Sequence, residues 1–447
     1  MIQAPKIFDA LSRTNPINDR GFYRFTGAIF GDLFMTKSND NNFSEKFMKP
    51  KSTSIPVIRL KPGREKSVHR RHPWVFSGAV ESEVDANQPG QTVRVESSSG
   101  KFLGFAAWSP KSQIRLRFWS FNEQDQIDEN FIYFKLKKAL TYRSSSNLAS
   151  NAKRLVHGEA DGLPGLIVDQ YNQVLVLQIL SVGIEYWKEN LIRQLVDLTG
   201  LGCVYERSDA DVRRLEGLEK KCGLIFGKFP SNLVIQEHGL EYSIDVENGQ
   251  KTGFYLDQRA NRAKIQEIST NKEILNCFCY TGGFTLNALR GGAKFVTSID
   301  SSEQALQMAK LNVETNGLPA EKTEWIAADV FKSLRKFRDQ GRNFDLIILD
   351  PPKFAPTKQN VEKASRAYKD INLLAMKLLN AGGLLASFSC SSAINPELFQ
   401  KILASSAEDA GQDFSILDTF SADQDHPQLL SFPEGEYLKG LLLKKLS

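Results

Sequence analysis

The sequence predicts an α/β chain with a small N-terminal β-barrel, a central α+β region and a C-terminal doubly wound parallel sheet. Three observations predict it. From Glu273 onward, apolar runs of strand length alternate with helically spaced stretches in the order βαβαβαβαβ, a pattern that closes into a parallel sheet with helices on both faces. Residues 56–121 instead carry short strand patterns punctuated by turn residues. Within the alternating region, the apolar run from Leu346 to Leu349 stops abruptly at Asp350-Pro351-Pro352. Uninterrupted apolar character of that length suits a strand buried on both faces.

That last stretch organises the rest. Two prolines remove two backbone donors and bar the preceding residue from helical geometry, so the chain leaves the sheet as a stiff turn. Asp350 is thereby left at the carboxyl end of a central strand, the rim where ligands bind in open α/β sheets.

At 447 residues, with 41% hydrophobic and 24% charged residues, the chain is globular and long enough for two or three domains. A net charge of +5 is too small to argue for nucleic acid by itself. Cys203, Cys222, Cys277, Cys279 and Cys390 form an odd, scattered set without a CxxC pair, which speaks against a disulfide framework or a zinc site and for a reducing compartment. Cys277 and Cys279 are expected simply to pack. No run approaches the length of a membrane span, and no signal-peptide pattern opens the chain. A cytoplasmic protein without membrane contact or bound metal is expected. Residues 1–56 are rich in Asn, Ser and Lys and read as a disordered extension. Asp9, Asp19 and Asp32 argue against a transit peptide, and Met35 and Met48 offer later starts.

The next region, residues 57–125, reads as the small β domain. Its leading turn gathers Arg64, Lys66, Arg70 and Arg71 just before Trp74. Cations hold phosphate and rings stack bases, so this cluster is the candidate RNA site. Against it stands a solvated charged turn with Trp74 in the core. Residues 126–247 form the central region: a helix from Glu129 to Arg143, strand patterns from Arg154 to Leu180, a helix from Tyr186 to Leu198, a strand at Cys203, and a strand pair turning at His238-Gly239.

Residues 248–447 form the third region. It opens with NGQKTGFYLDQRANR and a helix from Ala263 to Glu267. Strand, glycine turn and helix follow in EILNCFCYTGGFTLNALRGG. Gly282 and Gly283 permit close approach of backbone to a ligand, with free amides of the next helix beside them. Asp300 ends the following strand about 18 residues after Gly282, near the roughly 20 at which an acid meets ribose hydroxyls. The G-x-G-x-x-G of a pyrophosphate site is absent, so a nucleoside is indicated. Ser301 and Gln304 suggest a capping box. Asp329, Asp350 and Cys390 end later strands, and Gly382-Gly383 is expected to stop the last long helix. Each has a dull explanation alone. Their convergence on one rim points to a site.

Residues 248–444 resemble the class I S-adenosylmethionine-dependent methyltransferases, whose fold is Rossmann-like. NCFCYTGGF, DPPKF, SFSCS and FPEGEYLKG resemble specifically the ribosomal RNA large subunit methyltransferase I family. GREKSVHRRHPWVFSGAV from Gly63 is similar to that family's PUA RNA-binding domain, and HGEADGLPGLIVD and KTGFYLDQR extend the likeness. Residues 1–56 have no counterpart. The resemblance implies formation of 5-methylcytosine in 23S ribosomal RNA, with S-adenosyl-L-methionine as cofactor; it leaves room for a homodimer. It implies that Phe278, Tyr280, Gly282, Gly283 and Phe284 wrap the methionine part of the cofactor, Asp300 with Ser301 holds the ribose, and Asp329 with Val330 meets the adenine. Tyr255, Asp257 and Arg259 would close the pocket. Cys390 would be the nucleophile and Asp350 would face the base.

The chemistry is consistent. Cytosine C5 is a weak nucleophile, and thiolate addition at C6 makes it enamine-like. The rim of the sheet is expected to favour the thiolate. Asp350, Glu434 and His426 are candidate bases for the C5 proton. Two other readings remain open: DPPKF also resembles the turn of enzymes that methylate exocyclic amines or guanine without a cysteine, and an RNA-binding protein could carry a vestigial cofactor site.

Overall fold

The structure, a computed structural model, describes residues 55–81, 88–146, 148–354 and 360–446. Apart from Ile55 and Pro56, the extension expected over residues 1–56 lies outside them.

The first sheet contains β1 (Val57–Arg59), β2 (Trp74–Phe76), β3 (Thr92–Glu96), β4 (Phe102–Trp108) and β5 (Ile114–Ser120), in the order β1-β3-β4-β5-β2. Ile58, Val75, Val93, Val95, Leu116 and Phe118 fill its core. Leu60 and Val80, just beyond the two outer strands, form an antiparallel bridge that curls the sheet toward a barrel. A short helix, α1 (Lys66–His69), carries part of the basic cluster. Neither α1 nor β2 was legible, because the basic run masks any period.

Helix α2 (Glu129–Ser144) starts at Asp128, whose carboxylate accepts from the Phe131 amide. The central sheet follows with β6 (Ala152–His157), β7 (Leu166–Tyr171), β8 (Val174–Ile179), β9 (Cys203–Ser208) and β10 (Lys221–Gly227), in the order β10-β9-β8-β7-β6. Two helices, α3 (Val182–Tyr186) and α4 (Lys188–Thr199), replace the single one expected from Tyr186. Ser181 caps the first by accepting from the Ile184 amide. A turn of helix, α5 (Val212–Glu216), precedes β10. The hairpin of β11 (Val234–Glu237) and β12 (Leu240–Ser243) turns at His238 and Gly239, both at positive φ, as a two-residue turn between twisted strands requires.

The third sheet is built from β13 (Glu273–Cys277), β14 (Phe295–Asp300), β15 (Thr323–Ala327), β16 (Phe344–Leu349), β17 (Leu379–Ser389), β18 (Phe414–Ser421) and β19 (Lys439–Lys445). Their order is β15-β14-β13-β16-β17-β19-β18. The five strands from β13 to β17 pair in parallel, as the alternation predicts. The last pair departs from it, because β19 runs antiparallel to both neighbours. Helices α6 (Arg259–Glu267), α7 (Gly283–Arg290), α8 (Glu303–Thr315), α9 (Val330–Asp339), α10 (Val361–Lys377) and α11 (Pro396–Ala410) complete the region. Leu346, Ile347, Ile348 and Leu349 of β16 are fully buried, each worth about 1.5–3 kcal/mol.

Two local expectations fail. The cap of α8 is Ser302, accepting from Ala305, rather than Ser301. Gly382 and Gly383 lie inside β17 rather than ending α10; with Gly382 at φ 70° they make the irregularity after which β16 and β17 resume register.

One core runs from Tyr171 and Tyr205 through Tyr242 and Phe254 to Phe284 and Phe388, so the central region packs on one face of the third sheet. A second core lies against α9, α10 and α11 on the other face. The residues from Ser54 to Ser447 accordingly form one compact unit.

Candidate active site

Strand order reverses between β13 and β16, since the chain proceeds outward from β13 to β15 and then crosses back to β16. A crevice opens at the carboxyl ends of strands at such a switch point. The Phe278 to Gly283 loop leaves β13 there and Asp350 follows β16 there.

The loop is strained. Phe278 (φ 60°) and Tyr280 (φ 49°) are left-handed without being glycine, at a cost of about 1–3 kcal/mol each. What holds them is visible. Asp300 accepts from the Tyr280 amide through Oδ2 and from the Ser302 amide through Oδ1, both at 2.9 Å. The Tyr280 hydroxyl accepts from the Gln250 amide at 2.9 Å. Gly282 (φ 82°) is left-handed, which strains any side chain, and a Cβ would press on that of Ala309 at 3.0 Å. Thr281 Oγ1 is buried without a partner. A backbone cradle, an acid at the end of β14 and an orphaned hydroxyl suit a nucleoside with a polar tail.

Among the other residues read for this pocket, Asp329 is exposed and caps α9 by accepting from the Lys332 amide. Ser301 is exposed beside Asp300. Phe284 is buried and stacks on Phe388 at 5.6 Å. Val330 likewise joins the core under α9. Arg259 is a clear correction. Its guanidinium is buried and bonds Asp423, Asp425 and the Ala152 carbonyl, with Glu237 at 3.5 Å. Those partners fasten α6 to the loop after β18, leaving nothing to close a pocket. Replacing Arg259 with Met strands these acids. A loss of about 3–5 kcal/mol is expected, read as a lower denaturant midpoint at unchanged slope.

Asp257 is buried too. It accepts from Lys251 and from the Tyr437 hydroxyl at 2.7 Å; burial pushes the carboxyl up, but Lys251, His426 and the Tyr437 hydrogen bond together hold it well below the usual carboxylate range. Lys251 also lies over the rings of Tyr255 (4.2 Å) and Tyr437 (5.7 Å).

Asp350 is half-buried and accepts from Gln258 Nε2 at 3.0 Å. Burial, then the charge of Asp257, push its carboxyl up to about 7. Cys390 follows β17, with Sγ 3.8 Å from the Pro351 carbonyl. The two strand ends therefore bring this acid and this thiol together. The expected thiolate-favouring rim is not found. Burial, then Asp350, push the Cys390 thiol up to about 11 despite Lys251 and Lys353. Cys277 and Cys279 pack, both buried.

Of the candidate bases, Glu434 pairs with His72 at 3.1 Å and His426 with Asp425 at 2.7 Å. Asp350 is electrostatically coupled to Cys390. Lys251, Gln258, Tyr437 and Lys439 were missed. All lie in KTGFYLDQR or FPEGEYLKG, whose density of polar and aromatic residues was the available signal.

The basic cluster is laid out on the first sheet, with Arg64, Lys66, Arg70 and Arg71 exposed. Trp74 is not a free stacking platform: its indole N–H donates to Glu159 at 2.7 Å, and its ring packs edge-on against Phe432 at 4.6 Å. It joins the small sheet to the central region and to the loop before β19.

Comparison with known proteins agrees with this arrangement. The family model described as S-adenosylmethionine-dependent methyltransferase matches residues 154–427, and a PUA-like domain matches residues 58–121. The chain belongs to the S-adenosylmethionine-dependent methyltransferases, and its cofactor is S-adenosylmethionine. The ribosomal RNA large subunit methyltransferase I of Tolumonas auensis is 48% identical over 394 residues, covering 87% of this chain and 99% of that one. That of Erwinia tasmaniensis is 48% identical over 384 residues, covering 85% and 97%. Within the class, the chain is a member of the ribosomal RNA large subunit methyltransferase I family. The fold matches the crystal structure of SMU.776 complexed with SAH at a TM-score of 0.77, with 21% identity, over 87% of this chain and 100% of that one. Among the described residues no helix is long and apolar enough to cross a membrane.

Proposed function

We propose that this enzyme methylates C5 of a cytosine in large-subunit (23S) ribosomal RNA through a covalent bond between Cys390 and C6. The observation that carries the reading is the meeting of Cys390 and Asp350 at the ends of β17 and β16, beside the Gly282 cradle. Names of relatives that are nearly half identical supply the RNA. The exposed arginines of the first sheet suit its phosphates, whose counterions they would release.

Asp300, Asp329 and the backbone from Phe278 to Gly283 hold the cofactor in this reading, which supplies an electrophilic methyl on a sulfonium. Tyr255 with Lys251 walls the pocket toward Asp350. The protonated Asp350 carboxyl donates to cytosine N3, and its other oxygen accepts from the exocyclic amine. Cys390 thiolate adds to C6; the C5=C6 π electrons move into the ring, and N3 takes the proton from Asp350. C5 then acquires the methyl group. Its proton passes to water, N3 returns its proton to Asp350, and the C5=C6 bond re-forms as the thiolate departs. Charge and atoms balance, with one proton released per turnover.

The test is transfer of isotope-labelled methyl from the cofactor into unmethylated large-subunit ribosomal RNA, followed by digestion to nucleosides. 5-Methylcytidine is expected. A methylated guanosine or N4-methylcytidine would support the amine-directed reading of DPPKF, and absence of label would support a vestigial site.

A further inference from the structure

Lys439 opens β19, pairing with Ser389 of β17 on one side and Ser421 of β18 on the other. It is 5% exposed, and lysine is almost never so buried without a partner. The ammonium reaches across to the turn that follows Cys390, donating to the Ser391 carbonyl at 2.9 Å and to the Ile394 carbonyl at 2.5 Å. That turn is closed by the Ile394 amide on the Ser391 carbonyl at 3.0 Å. Its other side is fixed by Tyr368, whose hydroxyl accepts from Ser389 at 2.9 Å and lies 3.2 Å from Ser391 Oγ. Cys390 is thus held between two serines bound to one tyrosine, with a lysine under the following peptide.

Neutral carbonyls could be satisfied by any donor, so the charge needs its own reason. Burial pushes the Lys439 ammonium down to about 8, against the pull of Glu436 and Cys390. Groups facing Cys390 are Asp350 and Asp257, which disfavour its thiolate, and Lys251 and Lys353, which favour it. Tyr255 and Tyr368 stand beside it as neutral phenols, their hydroxyls pushed up chiefly by burial.

We propose that Lys439 is a positioning residue for Cys390: its charge stabilises the thiolate while its two hydrogen bonds fix the turn that presents the sulfur. This rests on the reading of Cys390 as nucleophile, and it adds a cation from β19 to Lys251 and Lys353, the latter also opposing the Lys439 charge. Attraction between ammonium and thiolate makes each ionised form favour the other.

Alkylation of Cys390 by iodoacetamide in the full chain, followed by peptide mass mapping across neutral to alkaline pH, reads the thiolate directly. Lys439→Gln keeps donors for the carbonyls and removes the charge. At neutral pH, where Lys439 is charged, modification is expected to slow about tenfold. Lys439→Arg should return the rate toward wild type. An unchanged rate in Lys439→Gln overturns the proposal. So does a faster one, which a loosened or unfolded turn would give. A thermal shift with S-adenosylmethionine reports whether the variant folds; if it does not, the wild-type rate carries the test, since it should rise less than about tenfold per pH unit as Lys439 loses its charge near pH 8. Methyl transfer by Cys390→Ala separates the two ideas. An active Cys390→Ala enzyme removes the nucleophile whatever the alkylation rates, whereas an inactive one with an unchanged Lys439→Gln rate removes only the role of Lys439.

Discussion

Replacing Cys390 with alanine is expected to lower methyl transfer by at least about 10³-fold while cofactor and RNA affinity stay within a few-fold of wild type. Among the described residues the one hydrogen bond of the sulfur is to the Pro351 carbonyl at 3.8 Å, a weak contact, so its loss chiefly removes an interaction that exists only along the reaction path. With 5-fluorocytosine at the target position, the wild-type protein should form an adduct that survives denaturation, because fluorine cannot leave as a proton does. Active Cys390→Ala protein, or an adduct mapped to another residue, would refute the assignment.

Asp350→Asn should cost about 10²–10³-fold at neutral pH, and its pH profile carries more information than its magnitude. In the wild type the working pair is a protonated Asp350 and an ionised Cys390, one proton short of fully protonated. That proton count is reached as pH rises through the lower of the two values, about 7 for Asp350 against about 11 for Cys390. Single-turnover kcat/KM should therefore rise with pH to about 7 and then level off, although the titrating proton is formally the carboxyl's. In Asp350→Asn only the thiol titrates. Removing the aspartate charge relaxes one cause of its elevation but leaves burial, so the rising limb should move well above neutrality. A limb that stays near 7 in the variant would remove Asp350 from the reaction.

The frame of the site was legible because it depends on short-range pattern. Apolar runs gave β13 to β17, and the acids that end β14 and β16 followed from where those runs stop. The proline pair after Asp350 marked the rim more sharply than any periodicity. What escaped was long-range pairing. Arg259, in the sequence, is a cation near a glycine turn; only the return of residues 423–425 turns it into the centre of a buried ion cluster. Trp74 reads as a stacking ring until Glu159, 85 residues away, takes its indole hydrogen. The thiol of Cys390 could not be judged either, since its ionisation depends on how deeply β17 is covered and how close Asp350 comes. Lys439 sits 49 positions after it in the chain, and only the antiparallel insertion of β19 beside β17 joins them.

The contacts of His72 with Glu434 and of Trp74 with Phe432 bind the basic surface to the same loop that leads into Tyr437 and Lys439, and Trp74 with Glu159 binds it to the central region. In the proposed function the basic surface and the pocket of Cys390 are therefore jaws of one calliper rather than modules on a tether. A jaw that cannot slide measures distance. The enzyme would select its cytosine by where a folded RNA holds it relative to a phosphate ridge, and a neighbouring cytosine in the same sequence context, carried round by one helical step, would fall outside the gauge.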